Sequence, residues 1–525
     1  MDLFIKTETL VSQLLFAMLY CGALFAESNS YTDNYIIPKL LISILLASII
    51  IIVFSFQLLF RQPIKKIWNP NYLGYTILIT CMIEAIYGFL QYTHLFVGNN
   101  ICKGITGSFD NSAGFAGCLC FGLPFILSDD KIIVKKHIYI AILTFGIAIF
   151  AICLSNSRAG LVTIISILCI VLLNKMQITL FIKFILIALP FMILISSYSI
   201  KKDSAKGRLL IWQCSLEMIK DKPLLGYGTD GFKSKYMNFQ ADFFKKDPNS
   251  KYSMLADNVS HPFNEYLYVL VNYGVIGLLL IILIMIGLYG CYIKSPTDLN
   301  FSCFISLLSI SIFSLFSYPF RYPFTWIILA LDIIILLNKP LVNMNRKHVN
   351  CVVCGLLIIC PICAYYTIQR NKAEKQWNIL EQQSETSTNI CIINGYKRLS
   401  SVLGNDPYFL YNYAVVLNAF KKYTESNQIM QRCSNFLNDY DCQLLVADNY
   451  YQIHNDKSAK RYYWQAAYMC PNRFVPLYHL FKIESISNRR NAYHLALIIK
   501  NKEIKIPSWT IDDIKRESIS YLQKN

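Results

Sequence analysis

Five groups of residues have types and spacings that can do chemistry. Arg208 and Trp212 stand four apart, so on a helix they share a face. A guanidinium beside an indole suits an anionic group attached to a greasy chain, and it is also an ordinary interfacial anchor. Pro223-Leu-Leu-Gly-Tyr-Gly-Thr-Asp-Gly231 brings three glycines within six residues. Such a run either cradles a ligand with backbone N–H groups or simply turns the chain. Its spacing fits neither a P-loop nor a dinucleotide fingerprint. His261, one of seven histidines, is followed closely by Asn264 and Glu265. It can accept a proton from a hydroxyl near neutral pH or serve structure alone. Arg158 and Arg321 each sit in a short polar break between apolar runs. Cys351-Val-Val-Cys354 has a redox or metal spacing, but no second pair lies nearby, and no metal or cofactor is expected.

The elements that must position these residues are apolar. The 525 residues are 55% hydrophobic and 15% charged, too apolar for a soluble globular chain. Eleven runs approach the roughly 20 residues needed to cross a bilayer: 10–26, 36–60, 71–93, 112–128, 136–154, 159–173, 178–200, 265–292, 301–317, 323–338 and 349–367. Most of the eighteen cysteines lie in such runs (Cys81, Cys118, Cys120, Cys153, Cys169, Cys351, Cys354, Cys360), where they act as small hydrophobes. The first run reads as a retained span, not a cleaved signal.

The net charge of +17 is scattered through loops and points to topology signals and anionic lipid, not to nucleic acid. Arg61, Lys65, Lys66, Lys131, Lys135, Lys136, Lys175, Lys294, Lys339, Arg346 and Lys347 make the even loops basic. Those loops are therefore expected in the cytoplasm, with the N-terminus inside and the C-terminus outside. Arg158, the polar stretch 201–262, Arg321 and the C-terminal region then share the outer face. Arginines there break the positive-inside pattern. Snorkelling to headgroups explains them, and so does an outward anionic site. Glu84 and Asp332 sit within spans, where they need partners or water.

The expected fold is all-α: a polytopic membrane domain over 1–367 that includes the loop 201–262, and a soluble helical domain over 368–525. A faint repeat of about 34 residues begins near Asp406. Leu410, Ala414, Leu417, Ser426, Met430 and Cys433 take packing positions in a first copy, and Ala447, Tyr451, Ala459, Tyr463 and Ala466 in a second. This resembles tetratricopeptide repeats, which offer a concave face to a protein partner. A plain helical bundle is the alternative.

Taken together, Gly107-Ser-Phe-Asp-Asn-Ser-Ala113, Ser157-Arg158-Ala-Gly160, the Arg208…Trp212…Pro223-Leu-Leu-Gly-Tyr-Gly…Phe232 series and His261-Pro-Phe-Asn-Glu-Tyr-Leu…Gly274-Val-Ile-Gly277 resemble the O-antigen ligase superfamily. That group includes O-antigen polymerases and O-linked oligosaccharyltransferases. The resemblance implies a GT-C-like, inverting, metal-independent glycosyltransferase of the bacterial inner membrane. It would pass a glycan from undecaprenyl diphosphate to lipid A-core, protein or another glycan on the periplasmic side. By position, Arg158, Arg208 and Arg321 would hold the diphosphate, and His261 would deprotonate the acceptor hydroxyl, with support from Trp212, Asn264 and Glu265. The family places a histidine directly before the asparagine; here Phe263 stands there and His261 lies two positions earlier. The other readings are a polymerase, or a polysaccharide transporter carrying a scaffold domain.

Overall fold

Within the described residues all eleven apolar runs form helices, as backbone that must satisfy its own hydrogen bonds in lipid requires. The computed structural model describes residues 2–59, 70–95, 104–128, 138–175, 179–200, 202–337, 346–387 and 389–524. Among them are twenty-one α-helices and no strand. Ile36–Leu59, Tyr72–Tyr92, Glu265–Lys294 and Asn350–Thr386 are long and apolar enough to cross a membrane. Gln13–Phe25, Ser112–Ser128, Ile142–Leu154, Arg158–Asn174, Leu180–Pro190, Asp298–Ser314 and Pro323–Leu336 are shorter apolar helices. Leu279, Leu280, Leu283 and Ile286 are exposed along one helix, and Leu180, Phe181 and Phe184 along another. Continuous apolar exteriors of this kind belong against lipid. This is a polytopic helical membrane protein. Of the basic loop residues that set the expected orientation, Arg61, Lys65, Lys66, Lys131, Lys135, Lys136 and Lys339 lie outside the described residues.

Contacts divide the chain into two compact units, Met1–Ile200 with Ile281–Asn378, and Lys201–Leu280 with Ile379–Asn525. The division cuts across the boundary expected at 367–368.

The first unit has a core of Phe109, Phe115, Phe121, Phe313, Tyr322 and Phe324. Small residues bring its helices close: a Cβ at Gly160 would lie 2.7 Å from that of Ala116. Ser306 and Ser309 donate to the carbonyls of Phe121 (3.1 Å) and Cys120 (2.9 Å), the polar stitching expected between helices in lipid. At one end of this unit the 104–111 loop meets the 155–156 and 318–322 loops and the end of the first helix. A Cβ on Gly104 would meet Ser155 O at 3.1 Å; Asn111 Nδ2 donates to the Tyr318 hydroxyl (3.2 Å); Ser108 Oγ donates to Leu24 O (2.8 Å). The buried Glu84 is not isolated, because its Oε1 accepts from Ser108 N (2.7 Å) and Ser108 Oγ (3.2 Å). Asp332 is fully buried against Cys303 and Ser306.

The second unit joins the polar stretch to the C-terminal helices. Phe232, Tyr236, Met237 and Phe244 on the Gly231–Lys246 helix share a core with Tyr440, Ala466, Met469 and Cys470. Gln240 Nε2 donates to Met469 O (2.7 Å), Asn472 Nδ2 to Ala256 O (2.6 Å), and Arg473 pairs with Asp257 at 2.9 Å. The stretch 201–262 packs here because its aromatic face is wide enough to need a partner layer. C-terminal helices pair in sequence: Pro407–Ala419 with Tyr423–Cys433, Tyr440–Gln452 with Asp456–Met469, and Val475–Ser487 with Arg489–Asn501. Leu410, Ala414, Met430, Cys433, Ala447, Ala459, Tyr463 and Ala466 are buried.

Candidate functional site

The polar stretch begins with the Lys202–Asp221 helix, which does place Arg208 and Trp212 on one face. Both reach the turn at the head of the Glu265–Lys294 helix. Trp212 Nε1 donates to Pro262 O (3.0 Å), and the Arg208 guanidinium lies over the Phe263 ring at 5.0 Å. Cation and ring attract by about 0.5–2 kcal/mol. Phe263 has a left-handed φ of 53°, unusual for a bulky side chain and worth about 1–2 kcal/mol of strain. The two clasps from one helix hold the turn in that conformation. Asn264 then caps the membrane helix, its Oδ1 accepting from Leu267 N (3.0 Å). Glu265 fills the first turn, where the helix dipole favours an acid. His261 packs its ring on Tyr268, centroids 5.2 Å apart. Thus the Phe263 ring lies beneath Arg208.

Of the two readings of the glycine run, the structure favours the turn, with the N–H groups of Tyr227 and Gly228 facing protein carbonyls. The membrane helix is broken at Gly274 (φ 63°, ψ −165°), which frees carbonyls one turn earlier. Tyr227 N donates to Val271 O (2.9 Å) and Gly228 N to Asn272 O (2.8 Å); in return Val275 N donates to Pro223 O (2.9 Å). Asn272 Oδ1 accepts from Phe232 N (2.9 Å), tying in the next helix as well. A Cβ at Gly226 would lie 2.5 Å from Val271 O, so the glycine is needed for close approach to protein backbone. The motif is a clasp on the membrane helix.

Arg158 and Arg321 belong to the first unit. Arg158 opens the Arg158–Lys175 helix just after Ser155 and Asn156, beside the 104–111 loop. Arg321 pairs with Asp110 at 3.3 Å, and the other carboxylate oxygen accepts from the Tyr322 hydroxyl (2.8 Å). Burial alone would lower the Arg321 pKa, but Asp110 with Tyr322 and Tyr318 reverses the sign and holds it above the usual value. The 104–111 loop that carries Asp110 is fixed from below. Lys39, fully buried, donates through Nζ to Ser108 O (2.8 Å) and Ala26 O (3.2 Å). Gln91 accepts from Gly107 N (2.9 Å) and donates to Gly107 O (2.8 Å).

Residues 143–282 match the O-antigen ligase family model. The matched segment contains Arg158, Arg208, Trp212, His261, Asn264 and Glu265; Arg321 and Asp110 lie outside it. No curated protein matches the chain. The match supports glycan processing of the ligase or polymerase type by an enzyme of the membrane. The matched segment also contains two residues that no sequence pattern marks. Tyr268 supports His261, and Asn272 bridges the glycine clasp to Phe232. Both sit one helical turn apart on a helix that looks purely apolar, so only their polar tips could have marked them. Among the described residues no group of His, Cys, Asp and Glu is arranged to hold a metal ion.

Proposed function

We propose that the chain transfers a glycan from undecaprenyl diphosphate to an acceptor hydroxyl on the periplasmic side of the bacterial inner membrane. The strained Phe263 turn, clasped by Arg208 and Trp212 inside the ligase-family segment, carries this reading. Strain concentrated at one turn is typical of sites where geometry matters for chemistry. Arg158, Arg208 and Arg321 bind the diphosphate and offset the charge that grows as the anomeric C–O bond breaks. The acceptor oxygen attacks the anomeric carbon from the opposite face, inverting it, while its proton passes to His261. The diphosphate leaves on its lipid, and the step needs no metal. The N-terminus lies in the cytoplasm and the C-terminal helices in the periplasm, where their tetratricopeptide-like pairs present an acceptor of lipid A-core, protein or glycan.

The test is complementation of a strain lacking the gene with Arg208→Ala, His261→Ala and Phe263→Ala, followed by sizing of glycan-bearing products. Loss of transferred glycan with accumulation of lipid-linked donor is expected for Arg208→Ala and His261→Ala. Retained single units with loss of long chains would make the enzyme a polymerase. Full activity in all three variants would remove these residues from the mechanism.

A further inference from the structure

The C-terminal helices enclose a cavity of about 430 Å³ between the Tyr423–Cys433, Tyr440–Gln452 and Asp456–Met469 helices, within the size range of small-ligand sites. Its walls are unusual in kind. None of the lining residues is charged, in a chain with a formal charge of +17, and five of the thirteen are amides. Anionic or cationic ligands would gain no ion pair there. An apolar helix would leave the amides without partners, a cost of roughly 1–3 kcal/mol for each buried group.

Two of the amides are held in fixed orientations. The Oδ1 of Asn427 accepts from Asn449 Nδ2 (2.9 Å), and Asn449 is itself buried and bonded to Ser426. The Asn427 amide therefore keeps its N–H donors for the cavity. Gln443 Nε2 donates to Asn438 Oδ1 (2.5 Å), which leaves the Gln443 carbonyl as an acceptor. Gln428 and Gln431 extend the row, and Tyr450 and Tyr462 stack at 5.5 Å to close one side with an aromatic wall. Asn438 and Gln465 both reach Asn238, on the Gly231–Lys246 helix of the ligase-family segment (3.4 and 3.1 Å).

We infer that this cavity binds a short neutral oligosaccharide. Adjacent sugar hydroxyls are each donor and acceptor, and a fixed donor facing a fixed acceptor matches them. The apolar face of a pyranose ring suits the tyrosine wall. The inference rests on the proposed glycan transfer and names its sugar as uncharged, held at a second place away from Arg208 and His261. An extended peptide could also use amides, so it is a competing outcome of the test.

The experiment is ligand-observed saturation-transfer NMR on the full chain in detergent. The probes are neutral tri- to hexasaccharides from dextran, mannan, galactan and chitin. Acidic oligogalacturonates and an uncharged Ser/Gly/Asn peptide are the controls. At least one neutral oligosaccharide is expected to saturate. Asn427→Asp keeps the bond from Asn449 but removes the donors, and should weaken binding about tenfold, the loss of one good hydrogen bond. The exposed Gln431→Ala provides a second variant that leaves the fold alone and should also weaken binding. The inference is overturned if no neutral glycan saturates, if acidic fragments bind better, or if the peptide binds with the same sensitivity to Asn427→Asp. Arg208→Ala should abolish transfer yet leave glycan binding intact. If the parent chain transfers no glycan while the cavity still binds it, the ligase reading falls and the cavity stands; transfer without binding at the cavity removes only the cavity.

Discussion

Replacing Gly274 with alanine should release the glycine clasp. With φ 63° and ψ −165°, Gly274 occupies backbone space that is essentially closed to other residues, at about 1–3 kcal/mol for forcing one in. An added Cβ would also fall 2.1 Å from Leu224 O and 2.3 Å from Leu224 C, both rigid backbone atoms. Relief requires the 223–228 turn to lift. That breaks the bonds from Val275 N to Pro223 O (2.9 Å) and from Ile276 N to Leu224 O (3.3 Å), each contributing about 0.5–1.5 kcal/mol. The combined cost is on the order of 4 kcal/mol. At 1.4 kcal/mol per factor of ten, the protected amides should open roughly a thousandfold more often. Hydrogen exchange of the full chain in detergent reads this directly at Tyr227, Gly228 and Val275. Gly287 on the same helix is the control, because a Cβ there meets nothing within 4 Å. Gly287→Ala should leave exchange unchanged. Glycan transfer should fall in Gly274→Ala and not in Gly287→Ala. If Tyr227 and Val275 exchange as slowly in Gly274→Ala as in the parent, the clasp does not hold the turn and the reasoning fails.

Three further outcomes follow from the same geometry. Lys39→Met leaves the carbonyls of Ala26 and Ser108 without their donor and the buried Glu84 without a nearby positive charge, and should cost about 1–3 kcal/mol. Adding Glu84→Gln, which keeps an acceptor for Ser108, should recover part of that loss in thermal unfolding in detergent. Asp110→Asn weakens a partly exposed ion pair with Arg321, so stability should change by no more than about 1 kcal/mol. The apparent KM for the lipid-linked donor should nevertheless shift if Arg321 binds diphosphate; an unchanged KM would remove Arg321 from the site. His479 is stacked on Tyr463, and burial lowers its pKa below the ordinary 6.5. The unfolded chain therefore binds more protons just below pH 6.5, and the Val475–Ser487 helix should lose protection as pH falls through that value. His479→Phe should keep the stacking and flatten the profile; a profile unchanged by the substitution would assign the acid sensitivity elsewhere.

Local pattern carried the membrane fold because hydropathy is a property of consecutive residues. Within the described residues all eleven apolar runs form helices. What escaped depends on partners far along the chain. Three glycines in six residues look alike whether their N–H groups face a phosphate or a carbonyl. The deciding residue is Gly274, whose broken helix offers the carbonyls of Val271 and Asn272. Lys39 was invisible for a related reason: its acceptors are backbone carbonyls of Ala26 and Ser108, which no side-chain pattern announces. The same logic bears on the proposed base. Sequence could say only that Phe263 stands where a histidine was expected. The structure adds that its ring is the surface beneath Arg208, and that its strained backbone is fixed by Trp212 through Pro262. A histidine at 263 would sit against that guanidinium, where a neighbouring positive charge disfavours the protonated form. Phe263→His therefore separates two roles. If position 263 contributes only shape, the variant keeps the parent's pH profile of transfer; if it can supply the base, the variant restores activity to His261→Ala with a profile shifted to lower pH.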